Sequence, residues 1–414
     1  MNGSSARSCC GFQCRIRAAS TICRSSSTPT ATLPGRPAKT ERTIMADGLN
    51  MSRRIRRTPY TDRVEQAGVR GFSVVNHMLL PKAFQPSVEE DYWHLREHAQ
   101  IWDVSCQRQV QISGPDAERL VQLMTPRNIV TAKVGDCYYI PIVDHRGGMI
   151  NDPVMLKIAD DCFWLSIADS DVLLYAMGLA IGMELDAEID EPDVSPLAVQ
   201  GPKAEALLST IFGDEICDIG FFKYARFEFE GTSQVIARSG YSRQGGFEIY
   251  LNGSSLGPAL WDTIWEAGQA FNITPGCPNL IERIEGGLFS FGNEMTRENN
   301  PLELGLGKFC KLDGSVNFVG LKALQKIQND GVSREIRGLK FGGTRVPTCS
   351  VPWPVFAGNK QVGQITSGIW SPRLNANIGL SMIDRGFWDI GQDVRIETPD
   401  GETRTGQIVA LPMV

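Results

Sequence analysis

Apolar and polar residues recur along this chain with two periods, and those periods mark out alternating strands and helices. In Phe247-Glu248-Ile249-Tyr250 the period is two, so Phe247 and Ile249 share one face and Glu248 and Tyr250 the other. With Val235-Ile236-Ala237 this run predicts a hairpin, joined through a turn rich in Gly, Ser and Gln. Gly240, Gly245 and Gly246 allow positive φ and close approach to a ligand there. If Phe247 and Ile249 are core, a carboxylate and a phenol point together to the opposite side. That pair suits a flat heterocycle, with the acid accepting N–H bonds and the ring stacking. An ordinary hairpin with an exposed Glu accounts for the same residues.

Elsewhere the pattern predicts a strand then a loop over Phe72–Pro81. A helix follows over Glu89–Gln100, with Tyr92, Leu95 and Ala99 or Trp93 inward. His94 and His98 share a face of that helix at metal-ligand spacing, but no third ligand is placed nearby, so a solvated face explains them. Val110 and Ile112 alternate with Gln in a strand, and a helix begins near Ala117. C-Y-Y-I-P-I-V-D, the turn His145–Gly148 and M-I-N-D-P-V-M-L-K-I form a second hairpin. Asn151 and Asp152 lie just past its turn, where a strand seldom spends two short polar residues. A strand–Gly-Pro–helix unit occurs near Gly114 and again near Gly201, which hints at an internal duplication. Val332–Gly338 reads as a linker, and the chain beyond it is β-rich, as for a small barrel.

Composition narrows the function classes. With 414 residues the chain holds two or three domains, and its net charge of −6 argues against a nucleic-acid binder. No apolar run reaches membrane-span length, so no membrane role is expected. Eleven cysteines include no CxxC pair at zinc spacing, and the seven beyond the N-terminal segment read as reduced thiols of a cytoplasmic protein. Residues 1–50 differ in kind. Met1–Thr40 is free of Asp and Glu and rich in Arg and Ser, as in an organellar transit peptide; a start at Met45 or Met51 explains it equally. The expected division is a leader over 1–50, a catalytic region of two intertwined subdomains over 51–332, and a barrel-like domain over 333–414.

Ordered blocks then carry a resemblance. I-W-D-V-S, I-S-G-P-D-A, G-G-M-I-N-D-P, L-A-V-Q-G-P, R-S-G-Y-S-R-Q-G-G-F-E-I, R-I-E-G-G-L-F-S-F-G-N, P-L-E-L-G-L-G-K and T-S-G-I-W-S-P resemble the glycine-cleavage T-protein family, in order, across Arg53–Val414. The resemblance implies an α+β fold of three domains arranged as a cloverleaf around a central folate channel, and tetrahydrofolate as the one-carbon acceptor. It implies that Glu248 grips the pterin, that Asn151 or Asp152 stands beside N5, and that Tyr241 and Arg283 lie near the folate. An internal ion pair of Arg283 with Glu282 or Glu285 is the competing assignment.

The family usually carries two consecutive aspartates where this chain has Asn151-Asp152, and Asn-Ala where it has Ile167-Ala168. Both departures weigh against aminomethyl transfer. Y-T-D-R-V-E, N-H-M-L-L-P, S-I-A-D-S-D and G-C-P-N-L-I-E-R-I-E are similar to a sulfonium-demethylating branch of the family. The expected reaction moves a methyl group from dimethylsulfoniopropionate to N5 of tetrahydrofolate. A sulfonium leaves as a neutral sulfide, so rate should come mainly from alignment of the reacting atoms. A methylated cation also asks for aromatic faces, and Trp102, Tyr139, Tyr241 and Tyr250 are the candidates for that cage. The expected partners are thus two small molecules, with a homodimer as the assembly. A T-protein-like aminomethyltransferase and a non-catalytic folate-binding protein are the rival readings.

Overall fold

The computed structural model describes residues 52–414, so the leader and its alternative start sites lie outside the described residues. A five-stranded antiparallel sheet, a six-stranded mixed sheet and a closed barrel organise the chain. The first sheet orders its strands as Glu188–Asp190, Gln109–Ser113, Cys162–Ser166, Val154–Ala159 and Cys137–Tyr139. Helices Ala117–Met124 and Val172–Gly182 cover one face of it, and their Leu120, Val121, Met124 and Ala176 share a core with Val110, Ile112 and Phe163. The second sheet runs Tyr224–Phe229, Thr232–Ala237, Gly246–Asn252, Val194–Gln200, Ala99–Asp103 and Ile273–Pro275. Helices Ala204–Phe212 and Gly257–Gly268 pack on its Phe247, Ile249 and Leu251. The opposite faces of the two sheets meet in a seam of Cys137, Leu156, Trp164, Val235 and Tyr250.

The two strand–Gly-Pro–helix units occupy matching places in the two sheets. Gly114 and Gly201 take φ of +112° and +113°. A Cβ on Gly201 would sit 2.2 Å from the His98 carbonyl oxygen, so the turn admits no side chain.

Proline explains where the pattern misleads. The expected long hairpin after Gly135 is broken at Pro141 and Pro153. Cys137–Tyr139 and Val154–Ala159 stay in the sheet, while Ile142–Val143 and Met149–Asn151 pair apart from it. The Phe72–Pro81 run is a hairpin rather than a strand and loop: Gly71–Val75 pairs with Met78–Ala83 across Asn76 and His77, at φ of 50° and 60°. Val332–Gly338 is not a linker throughout, because Arg334–Phe341 is a barrel strand between Ala376–Asp384 and Thr403–Val409. The barrel closes through six strands around Leu339, Trp353, Val355, Ile365, Ile396 and Ile408. Among the described residues no helix is long and apolar enough to cross a membrane.

Candidate active site

A cavity of about 1430 Å³ opens where the two sheets approach the barrel. Tyr139 reaches it from the first sheet, Asp152 from the loop before strand Val154–Ala159, Ser239, Tyr241 and Glu248 from the second sheet and its hairpin turn, and Arg283, Lys308 and Phe309 from the segment between sheet and barrel. Arg337 and Leu411 belong to the barrel side.

Glu248 reaches the cavity because its strand lies inside the sheet and its cross-strand neighbours are small. Ala237 and Ala198 flank it, leaving room above the carboxylate. Alternation puts Phe247 and Ile249 into the helix-covered core and Glu248 on the far side. The Ser239 hydroxyl donates to the Glu248 carboxylate, and no ion pair to Glu248 forms among the described residues. Burial raises its pKa above the ordinary carboxylate range, and the Ser239 hydroxyl offsets part of that. An acid so placed offers strong acceptors to a ligand with N–H donors. The turn glycines have a second reason besides ligand approach. A Cβ on Gly240 would overlap the Gln200 side chain at 2.1 Å, and one on Gly246 would sit 2.3 Å from the Val199 oxygen.

Asn151 and Asp152 part company at the end of their strand. Asn151 is fully buried and does not line the cavity. Its amide nitrogen donates to the Ala168 carbonyl at 3.0 Å and to Ser170 Oγ at 2.8 Å. Its oxygen accepts from the Asp152 and Ala168 amides, each at 3.0 Å. The Ser170 hydroxyl proton is engaged by the Ile150 carbonyl, so Ser170 can only accept from position 151. A carboxylate could not donate there, which is the physical reason for an amide. Of the two residues expected beside the folate nitrogen, Asp152 is therefore the one on the cavity wall, and Asn151 is held behind it. Tyr139 donates its hydroxyl to Asp152 Oδ2 at 3.0 Å. Loss of water pushes the Asp152 carboxyl up to about 7, against the stabilising Tyr139 bond.

Of the four rings expected to cage the substrate, Tyr139 and Tyr241 line the cavity and Trp102 and Tyr250 do not. Trp102 is 1% exposed among Leu95, Val104 and Ala198, and its indole donates to Gln100 at 2.9 Å. Tyr250 fills the seam between the sheets beside Trp164, with ring centroids 6.5 Å apart. Its hydroxyl has no partner among the described residues. Both are core residues: period-two alternation sets a face, and at these positions that face is packed against protein. Tyr241 is tied down by donating to the Leu288 carbonyl at 3.3 Å and to that of Phe289.

Phe309 was missed. Its ring stands edge-on to Tyr139 with centroids 5.4 Å apart. It directly follows P-L-E-L-G-L-G-K, so the signal lay one residue beyond a block already singled out. Arg283 lines the cavity but is paired with Glu294 at 2.7 Å, not with Glu282 or Glu285. Glu282 takes Arg96 at 3.0 Å, and Glu285 accepts from Tyr92 at 2.8 Å. The His94 and His98 rings lie 4.9 Å apart, tilted by 54°, and turn to different partners, Thr274 and Lys203. The seven described cysteines are all free thiols.

Residues 60–314 match the family model of the GCVT N-terminal domain, and residues 334–414 that of the glycine cleavage T-protein C-terminal barrel domain. The chain is 52% identical over 350 residues to dimethylsulfoniopropionate demethylase DmdA of Ruegeria pomeroyi, covering 84% of this chain and 95% of that protein. It is 31% identical over 324 residues to an aminomethyltransferase of Alkaliphilus metalliredigens, covering 77% of this chain and 86% of that one. The crystal structure of glycine cleavage system aminomethyltransferase T from Bartonella henselae shares the fold at a TM-score of 0.76, with 23% identity, over 87% of this chain and 98% of that chain. With two family models spanning both the sheets and the barrel, the chain belongs to the glycine-cleavage T-protein family.

Proposed function

We propose that this protein is a tetrahydrofolate-dependent dimethylsulfoniopropionate demethylase. It transfers a sulfonium methyl group to N5 of tetrahydrofolate and yields 3-(methylthio)propanoate and 5-methyltetrahydrofolate. The observation that carries the reading is the 52% identity to a dimethylsulfoniopropionate demethylase across 95% of that relative, against 31% to an aminomethyltransferase.

The residues present fit a folate. A buried carboxylate without a cation suits the amino and ring N–H donors of a pterin, and Glu248 is such a group on the cavity wall. Tetrahydrofolate, when bound, supplies the N5 lone pair that takes the methyl group. Glu248 holds the ring against rotation, and Ser239 fixes the carboxylate. Asp152, with a pKa near 7, accepts the proton that N5 gives up and passes it to water. Its negative charge also faces the cationic sulfonium, and the Tyr139 and Tyr241 rings give that cation aromatic surface. The Arg283–Glu294 pair anchors the wall rather than the ligand, since Arg283 also donates to the barrel's Ser367.

We assign residues 51–332 to folate and substrate binding and residues 333–414 to the barrel that closes one side of the cavity. The partners are two small molecules. The net charge of −6 supports a reading without nucleic acid, and we place the enzyme in the cytoplasm as a homodimer. The test incubates the protein with tetrahydrofolate and, separately, dimethylsulfoniopropionate, betaine and sarcosine. Formation of 5-methyltetrahydrofolate from the sulfonium alone is expected. Formation from none of the donors would end the reading.

A further inference from the structure

Phe309 carries cations rather than awaiting one. Lys308 Nζ lies 5.0 Å from its ring centroid, and the Arg127 guanidinium also lies 5.0 Å from it. Arg127 is held in place by Tyr138, at 4.2 Å from that ring, and by the Tyr139 carbonyl, to which it donates at 2.7 Å. Neither cation has a carboxylate partner among the described residues. A ring that already faces two positive groups repels a third, so the sulfonium does not sit on Phe309. On the sulfonium reading the cation then belongs at Tyr139, whose hydroxyl reaches Asp152.

Four of the other cations on the cavity wall already have partners. Arg283 is paired with Glu294 and Arg337 with Glu335, each at 2.7 Å. Arg238 is paired with Glu205, and Arg243 donates to the Gly286 carbonyl at 3.0 Å. Lys82, exposed on the wall, likewise has no carboxylate partner among the described residues, but no aromatic contact ties it to Tyr139 as Phe309 ties Lys308. Lys308 is left as an exposed ammonium on the wall, one ring away from Tyr139.

We propose that Lys308 binds the carboxylate of the substrate, whose cationic end lies at Tyr139 and Asp152. The inference rests on the sulfonium reading above and adds the group that makes the site select a zwitterion. A bare sulfonium would keep the Asp152 contact and lose the Lys308 one. The glutamate tail of folate is the other source of a carboxylate, and the measurements separate the two.

Lys308→Met and Lys308→Arg are compared with the wild type. KM is measured for dimethylsulfoniopropionate, for ethyldimethylsulfonium, which has no carboxylate, and for tetrahydrofolate. Calorimetry measures the binding of 3-(methylthio)propanoate. In Lys308→Met the KM for dimethylsulfoniopropionate and the Kd for the product acid should rise roughly 10–100-fold, the loss of one charge-assisted bond. The KM values for ethyldimethylsulfonium and tetrahydrofolate should stay near wild type, and Lys308→Arg should recover most of the loss. Unchanged values for the two carboxylates, or a rise confined to tetrahydrofolate, overturn the proposal. A wild-type enzyme that does not turn over the sulfonium overturns the substrate reading instead, and the product-acid Kd then decides on Lys308 by itself.

Discussion

Arg283 and Glu248 stand on the wall of one cavity, and the family resemblance assigns both to folate, yet the fold treats them in opposite ways. Arg283 is buried and paired: Glu294, Ser367 and the Leu288 carbonyl each accept from it. Glu248 is as deeply buried and has a hydroxyl for company instead of a cation. A buried charge that is fully paired holds parts of a protein together, whereas one left with spare acceptors facing a cavity costs stability that a ligand can restore. Asp152 falls on the Glu248 side of this division, with Tyr139 alone donating from a side chain.

Breaking the paired side should have the largest effect. Arg283→Met strands Glu294 and should destabilise the fold by about 3–5 kcal/mol in denaturant unfolding. Replacing both partners with apolar residues should recover much of that loss.

On the unpaired side the effects fall on activity. Asp152→Asn should lower turnover roughly 100-fold or more, because it removes the proton acceptor. Wild-type turnover should rise with pH and inflect near 7, following the Asp152 carboxyl. Stability carries the opposite sign. The folded state holds this proton more tightly than the unfolded chain, whose carboxyl titrates near 3.8, so the penalty grows as pH rises from about 4 and is complete above about 7. Asp152→Asn should therefore stabilise the protein at pH 8 by about 1–2 kcal/mol, allowing for solvent in the cavity, and give no gain below pH 4.

Glu248→Gln should weaken tetrahydrofolate roughly 10–100-fold by titration calorimetry while leaving thermal stability equal or higher. Asn151→Asp probes the framework behind the site. It removes two donated bonds and should cost about 1–3 kcal/mol, with the loss of activity tracking the loss of folded protein. Trp102→Phe should have the smallest effect, about 1 kcal/mol of stability, with the KM for the sulfonium unchanged. A raised KM there would return Trp102 to the substrate cage.

Local pattern was enough to place Glu248. Alternation over four residues separates Phe247 and Ile249 from it, and the sheet keeps that separation because side chains point to opposite faces. The same rule could not separate Glu248 from Tyr250, which share a face. One meets the cavity and the other meets the first sheet, and the difference depends on how two sheets from distant parts of the chain lie together. Asn151 and Asp152 show the limit at its sharpest. Neighbours in sequence, they diverge because Pro153 ends the local pairing and Ser170 and Ala168 claim the amide.

By itself the sequence determined the family, the helix and strand repertoire, the barrel at the C-terminal end and the acid Glu248 on its hairpin, since each is written in short-range periodicity or contiguous blocks. Only the tertiary structure decided which acid meets the cavity beside Tyr139, that Arg283 pairs with Glu294, and that Trp102 and Tyr250 are packing. Those outcomes turn on desolvation and on hydrogen-bond geometry, and neither quantity exists until the sheets and barrel have closed on each other.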